Sequence, residues 1–243
     1  MAFRKSPKIG LCSKPFPAIM ETMSRRLLSI AILIATASPA TAGTPEPPCD
    51  GCAVAWPDTD KPVPLLVVLH GDHGTATHWL SRWRDAAIER GFGVLSLQCP
   101  EELGCKDGVW YMWTGDPKWV HDQIDKVAAS APIDRSKIVL AGWSGGGAYI
   151  GMHVRSWQGF AGLVMHGGAM GPLDGRCAKP TPPVYFFVGD KNQYHSTAVL
   201  IRDFLLDCRA RVKWDLLKGG DHGDENKALD PVKAGQILDW FKR

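Results

Sequence analysis

Apolar runs of strand type alternate with segments of helical periodicity along most of the chain. Continuous apolar runs are typical of strands buried on both faces of a parallel sheet. The predicted strands are Ala53–Trp56, Leu65–Leu69, Val94–Leu97, Ile138–Ala141, Phe160–Met165, Pro183–Val188 and Val212–Leu217. The predicted helices are Thr77–Glu89, Val120–Ser130, Gly146–Ser156, Thr197–Cys208 and Ala228–Phe241. This alternation predicts an α/β fold with a mainly parallel sheet, flanking helices and right-handed crossovers.

The first 42 residues have a different pattern, that of a secretory signal peptide. Met23–Arg26 is a short basic stretch, Leu27–Ala35 is apolar, and Ala40–Ala42 is a small-residue cleavage site. The apolar run is shorter than the roughly 20 residues needed to span a bilayer. We therefore predict cleavage after Ala42, a single domain over residues 43–243, and a secreted or periplasmic protein that does not stay in the membrane.

The leader also accounts for the basic charge of the chain. The whole sequence has 28 Lys and Arg against 25 Asp and Glu. Residues 1–42 hold six of the basic residues and one acid, which leaves 22 against 24. Such a balance gives no reason to expect nucleic-acid binding. Residues 1–22 show no periodicity, so Met20 or Met23 is a more plausible start than Met1, the alternative being an extended leader.

Six of the seven cysteines lie beyond the predicted cleavage site, and an even number in a secreted chain indicates disulfides. Proximity favours Cys49–Cys52, Cys99–Cys105 and Cys177–Cys208, although six cysteines allow 15 pairings. The first pair has CxxC spacing, which also occurs in redox and zinc sites. Its Pro-rich surroundings lack the βαβ pattern that a redox motif requires.

Gly142-Trp143-Ser144-Gly145-Gly146 stands where a predicted strand meets a predicted helix. This is the context of the G-x-S-x-G nucleophile elbow, in which the serine occupies a strained turn and glycines on either side remove side chains that would collide. The N–H of Gly145, at the helix start, would face an oxyanion. The alternative is an ordinary glycine-rich turn that contains a serine.

Two further residues at strand ends complete a catalytic triad. A serine needs a base, and the base needs a group that orients it. Asp190 directly follows a predicted strand, and His222 lies in a glycine-rich loop after the last one. We predict Ser144 as nucleophile, His222 as general base and then acid, and Asp190 as the orienting carboxylate. Asp174 is the competing acid.

The loop after Leu65–Leu69 is the expected source of the second oxyanion donor. The residue that follows the His-Gly pair usually supplies this N–H, and in this chain Asp72 follows His70-Gly71. An inward carboxylate would repel the oxyanion, so we expect the Asp72 side chain to point away. His70 should orient its loop through hydrogen bonds. His73 and His78 have no third ligand at suitable spacing, and we expect neither a metal nor a cofactor.

These motifs together resemble the α/β-hydrolases, in particular the small secreted esterases grouped with polyhydroxybutyrate depolymerases, feruloyl esterases and acetyl xylan esterases. The likeness spans roughly Lys61 to Arg243. It rests on Val67–Gly71, Ile133–Gly147, Val188–Asp190 and Gly220–Gly223. The resemblance implies an α/β-hydrolase fold. At about 200 residues, the mature chain is too short for a large cap domain.

Aromatic residues near the predicted site are candidates for substrate binding. The segment Pro100–Lys118 would have to serve as a lid or binding wall, with Trp110 and Trp113 facing the substrate. The alternative is a disulfide-pinned loop whose tryptophans pack into the core. Trp143 is a further candidate for substrate binding, and His166 has either a structural or a pocket-lining role.

The sequence thus predicts a secreted serine carboxylic-ester hydrolase that works through an acyl-enzyme. We expect a monomer that acts on a small or polymeric ester. A serine peptidase is one alternative, since Gly-Trp-Ser-x-Gly-Gly also occurs in catalytic domains of prolyl-oligopeptidase type. The other is a non-catalytic binding protein on a hydrolase scaffold.

Overall fold

The structure, a computed structural model, describes residues 43–172 and 175–242. The predicted signal peptide and the competing acid Asp174 lie outside the described residues. None of the described helices is long and apolar enough to cross a membrane.

A seven-stranded sheet forms the centre of the described fold. Its strands are β1 (Ala53–Ala55), β2 (Val63–Leu69), β3 (Gly93–Leu97), β4 (Ile133–Trp143), β5 (Gly162–His166), β6 (Val184–Gly189) and β7 (Val212–Leu217). They are ordered β1-β3-β2-β4-β5-β6-β7, and only the β1–β3 pair is antiparallel. The predicted mainly parallel α/β sheet is confirmed. Because the parallel strands run the same way, the residues that follow them meet at one edge.

Helices cover both faces of this sheet. They are α1 (Ala76–Glu89), α2 (Lys118–Ala128), α3 (Gly145–Met152), α4 (His195–Asp207), α5 (His222–Ala228) and α6 (Pro231–Phe241). Alternate residues of β2 face opposite layers. Leu65 and Val67 pack with α2, α3 and α4, whereas Leu66 and Val68 pack with α1 and α6. Within the described ranges, no segment inserted between strands forms a further domain.

The C-terminal region differs from its prediction, because a separate helix precedes the last one. Helix α5 begins after Asp221, whose side chain accepts from the N–H of Asp224 while the Asp224 carboxylate accepts from the N–H of Asp221. This reciprocal capping starts a helix whose sequence, HGDENKA, has no apolar periodicity to reveal it. Helix α6 then begins at Pro231, behind Asp230 as N-cap, and not at Ala228.

The three predicted disulfides are present. Cys49–Cys52, Cys99–Cys105 and Cys177–Cys208 have Cα atoms 5.3, 5.9 and 5.5 Å apart. The second closes a loop within the segment Pro100–Lys118, which the structure folds as three short 3₁₀ turns before α2.

That segment packs its tryptophans into the core, as the alternative prediction proposed. Trp110 is fully buried and Trp113 is 3% exposed. Trp113 stacks on Tyr149 of α3 at a ring separation of 5.5 Å, and its indole N–H donates to the Leu103 carbonyl. Tyr111, between the two tryptophans, is instead exposed.

Candidate active site

Ser144 lies on a strained turn between β4 and α3. Its φ of 50° and ψ of −114° fall where side chains are rarely found. Its N–H donates to the His166 carbonyl over 2.8 Å, which ties the turn to β5. A Cβ at Gly142 would overlap the backbone of Gly146, and a Cβ at Gly146 would overlap the carbonyls of Leu69 and His70. Both elbow glycines are therefore needed for the turn to form.

His222 lies within hydrogen-bond distance of this serine. Its Nε2 is 3.0 Å from Ser144 Oγ. The imidazole stacks on Trp143, with ring centroids 4.5 Å apart and planes inclined by 16°. His222 is the first residue of α5, so the capped helix fixes the ring in place. We expected a glycine-rich loop to carry this residue, and the structure corrects that.

The carboxylate that faces His222 is Glu225, and not Asp190. Glu225 lies one turn further along α5, with Oε2 3.4 Å from His222 Nδ1, and its side chain is fully buried. Asp190 is exposed, and its Oδ1 accepts from the N–H of Gly219 over 2.6 Å. Asp190 does follow β6 as predicted, but its side chain binds the loop after β7. The structure therefore places a different acid beside the histidine.

The Glu225 carboxylate is surrounded by hydrogen-bond donors. Asn192 Nδ2 lies 2.7 Å from Oε2 and 2.9 Å from Oε1, and also 3.2 Å from His222 Nδ1. The N–H of Gly189 donates to Oε1. A buried carboxylate is tolerated only when such partners replace its water. Asn192 thus joins the end of β6 to the His222–Glu225 pair.

Sequence reasoning missed Glu225 because the helix that carries it was not recognised. A histidine and a glutamate three residues apart share one face of a helix. The spacing of Asp221 and Asp224, an N-cap residue and an acid three positions on, was the available signal.

His166 lies against Trp143 and the Glu225 backbone, and it does not line the cavity that opens over Ser144. Its Nε2 donates to the Glu225 carbonyl over 3.0 Å, and its ring lies 4.3 Å from Trp143 and 5.0 Å from Phe187. Burial lowers the pKa of His166 to about 3, so the ring is neutral and its Nδ1 carries no proton. Of the two expected roles, the structural one agrees with this position.

The loop after β2 brings Asp72 to the elbow, next to Gly145. The N–H groups of Asp72 and Gly145 donate to no backbone carbonyl in the described turns, loops and caps. His70 holds this loop: its Nδ1 donates to the Gly71 carbonyl at 2.7 Å, and its Nε2 accepts from the Cys99 N–H at 3.1 Å. Burial lowers the pKa of His70 to about 4, which keeps it neutral.

The Asp72 carboxylate points inward, contrary to the expectation. A Cβ added at Gly145 would overlap Asp72 Oδ1, so that oxygen lies against the start of α3. Burial raises the pKa of Asp72, opposed by the charge of His73, a backbone hydrogen bond from Trp110 and the charge of His222. The absence of a side chain at Gly145 makes room for the carboxylate.

A cavity of about 260 Å³ opens over Ser144. Small residues of α3 and of the loop after β5 form one wall; the exposed side chains of Tyr111, Met170 and Tyr194 form its rim. The four residues predicted to bind substrate, Trp110, Trp113, Trp143 and His166, are all buried outside this lining. Within the described part of the chain, no group of three His, Cys, Asp or Glu side chains could hold a metal ion.

No protein-family model matches the chain, and no curated protein matches it in sequence. Solved structures do match. S-formylglutathione hydrolase (FrmB) from Staphylococcus aureus has 17% identity and a TM-score of 0.64, over 79% of this chain and 90% of that one. The Bacillus cereus carboxylesterase has 18% identity and a TM-score of 0.59, over 79% and 92%. Esterase PE8 has 15% identity and a TM-score of 0.60, over 78% and 97%. The chain has the α/β-hydrolase fold.

Within this α/β-hydrolase fold, the position of Glu225 departs from the usual chain order. The usual order is serine, then acid, then histidine. Here the carboxylate next to the histidine follows it by three residues on the same helix. Helix α5 carries both residues, three positions apart, on one face.

Proposed function

We propose that the chain is a secreted serine carboxylic-ester hydrolase that acts through an acyl-enzyme. The observation that carries the proposal is the 3.0 Å separation between Ser144 Oγ and His222 Nε2 on a strained nucleophile elbow. The structures named above are hydrolases and esterases by name, which supports the same class of reaction.

In the proposed reaction, Ser144 Oγ attacks the ester carbonyl while His222 Nε2 takes its proton. The N–H groups of Gly145 and Asp72 would stabilise the oxyanion; removing one such donor typically costs about 2.7–4 kcal/mol of transition-state stabilisation. His222 then returns the proton to the leaving alcohol, which leaves an acyl group on Ser144. Water, activated by His222, hydrolyses that acyl-enzyme and restores the serine.

Glu225 takes the role that the sequence assigned to Asp190. A carboxylate beside Nδ1 holds the imidazole in the tautomer that leaves Nε2 free to accept a proton. It also stabilises the imidazolium that forms during attack. Asn192 and the Gly189 N–H keep this buried carboxylate in position.

Secretion is part of the proposal and rests on two features. One is the signal-peptide pattern of residues 1–42. The other is the set of three disulfides, which persist in oxidising compartments.

Parallel assays of the purified protein on p-nitrophenyl acetate and a chromogenic peptide amide test the proposed reaction. We expect ester turnover that Ser144→Ala lowers at least about 10³-fold, because the nucleophile is lost. Peptide turnover without ester turnover would indicate a peptidase instead. A folded protein inactive on both would indicate a binding protein. Acetylated xylan, feruloyl esters and short polyhydroxybutyrate, tested side by side, would then define the natural acyl group.

A further inference from the structure

Asp72 presents an unpartnered carboxylate oxygen beside the nucleophile. Its Oδ1 is shielded from solvent and has no hydrogen-bond partner among the described residues, although the backbone N–H of Trp110 reaches the carboxylate group. The same oxygen lies against Gly145, and Asp72 lines the cavity over Ser144. A buried carboxylate oxygen without a donor is unfavourable, so its presence on the wall of this cavity points to a partner that arrives with the ligand.

The position of this carboxylate also matters for the proposed reaction. A carboxylate next to an oxyanion hole opposes the negative charge that develops in attack on a neutral ester. No Lys or Arg is among the described residues that line the cavity. A cation brought by the substrate would remove both difficulties, since it pairs with the carboxylate and offsets the oxyanion.

We propose that Asp72 selects esters that carry a positively charged nitrogen close to the scissile carbonyl, on either the acyl or the alcohol side. This rests on the proposed function and names its substrate class. The exposed rings of Tyr111 and Tyr194 at the rim suit the same ligand, because aromatic faces attract cations. The cavity volume of about 260 Å³ limits the bound portion to a small group.

Matched pairs of cationic and neutral esters test the proposal on both sides of the carbonyl. Glycine ethyl ester and ethyl propionate place ammonium or methyl on the acyl side. Acetylcholine and 3,3-dimethylbutyl acetate differ in the same way on the alcohol side. We expect the wild-type protein to prefer the cationic member of one pair by at least about tenfold in kcat/KM, as one good charged contact allows. The pair for which the protein prefers the cationic ester shows whether the cation lies on the acyl or the alcohol side of the carbonyl.

The variant Asp72→Asn keeps the size of the side chain and its backbone N–H but removes the charge. The cationic-to-neutral ratio should fall at least about tenfold, and turnover of the neutral ester should rise because the repulsion is lost. Asp107→Asn is the matched control. The Asp107 side chain is exposed, and its backbone carbonyl accepts from His73, the neighbour of Asp72. The cationic-to-neutral ratio of this variant should stay within about twofold of the wild type, since exposed charges are screened.

A loss of equal size for both esters in Asp72→Asn would mean that the carboxylate only supports the loop, and would overturn the proposal. Equal wild-type turnover of the two members of each pair would overturn it as well. Calorimetric Kd values for the same pairs, measured on Ser144→Ala, separate this inference from the proposed function. If the wild-type protein has no esterase activity but Ser144→Ala binds a cationic ester preferentially, and adding Asp72→Asn abolishes that preference, the cation site would be upheld and ester hydrolysis refuted.

Discussion

In the proposed reaction the histidine that activates the serine must be held in one tautomer, and the carboxylate beside His222 Nδ1 is that of Glu225. Its carboxylate is fully buried, lies 3.4 Å from His222 Nδ1 and accepts hydrogen bonds from Asn192 and Gly189. Asp190 is exposed and binds the Gly219 N–H instead. Glu225 and Asp190 therefore differ in their contacts and in their burial, and we expect their removal to affect kcat differently.

Glu225→Gln and Asp190→Asn form a matched pair of charge-removing variants. We expect Glu225→Gln to lower kcat for p-nitrophenyl acetate about 10²- to 10⁴-fold, because His222 loses the charge that orients and stabilises its ring. Asp190→Asn should change kcat less than about threefold. Circular dichroism of both variants controls for folding. A severe loss in Asp190→Asn with a mild one in Glu225→Gln would restore the assignment made from the sequence.

At the scale of elements, two buried histidines connect parts of the fold that carry the site. His70 joins the loop after β2 to the second residue after β3, through Gly71 and Cys99. His166 joins the end of β5 to α5, through the Glu225 carbonyl. Both rings are held neutral by burial, with pKa values of about 4 and about 3.

These lowered pKa values predict a loss of stability in mild acid. In the unfolded chain each histidine binds a proton near pH 6.5, whereas in the native protein it does so only near pH 4 or 3. Below pH 6.5 the unfolded state therefore binds more protons, and the free energy of unfolding falls as pH falls. Between pH 7 and 5 each histidine should cost about 2 kcal/mol of that free energy.

Urea unfolding at pH 7 and pH 5 measures this loss. His166→Phe keeps an aromatic ring but cannot titrate, so its loss between the two pH values should be smaller than that of the wild type by about 2 kcal/mol. His70→Gln serves the same purpose at the other position. An identical loss in the wild type and in both variants would show that these histidines do not govern acid stability.

At the scale of the whole molecule, periodicity was enough to predict the sheet. Continuous apolar runs such as Leu65–Leu69 are typical of strands of a sheet covered on both faces, and their short length favours a strand over a helix. Helix α5, which lacks that pattern, escaped prediction because it is polar and depends on the Asp221 cap. Without this helix, the sequence offered Asp190 and not Glu225 as the acid beside His222. A local pattern also does not show which way a side chain faces, as Asp72 and the tryptophans demonstrate.

The tryptophans illustrate why aromatic composition alone did not identify the residues that line the cavity over Ser144. Trp110 and Trp113 lie in a segment that looks irregular along the chain, so the sequence left open whether they face a substrate or pack into the core. Both rings are nevertheless buried against Tyr149, behind a disulfide at Cys99–Cys105. Burial of such large rings contributes stability in proportion to the apolar area removed from water. Whether a tryptophan faces the cavity or the core depends on tertiary packing, which the local sequence does not show.

The site and rate of reaction with a fluorophosphonate probe show whether Ser144 is the activated nucleophile. We predict a single adduct that peptide mass spectrometry maps to Ser144. Its formation should slow at least about 10³-fold in His222→Ala, because the hydroxyl is a weak nucleophile without its base. A folded wild-type protein that forms no adduct, or forms it elsewhere, would show that Ser144 is not an activated nucleophile.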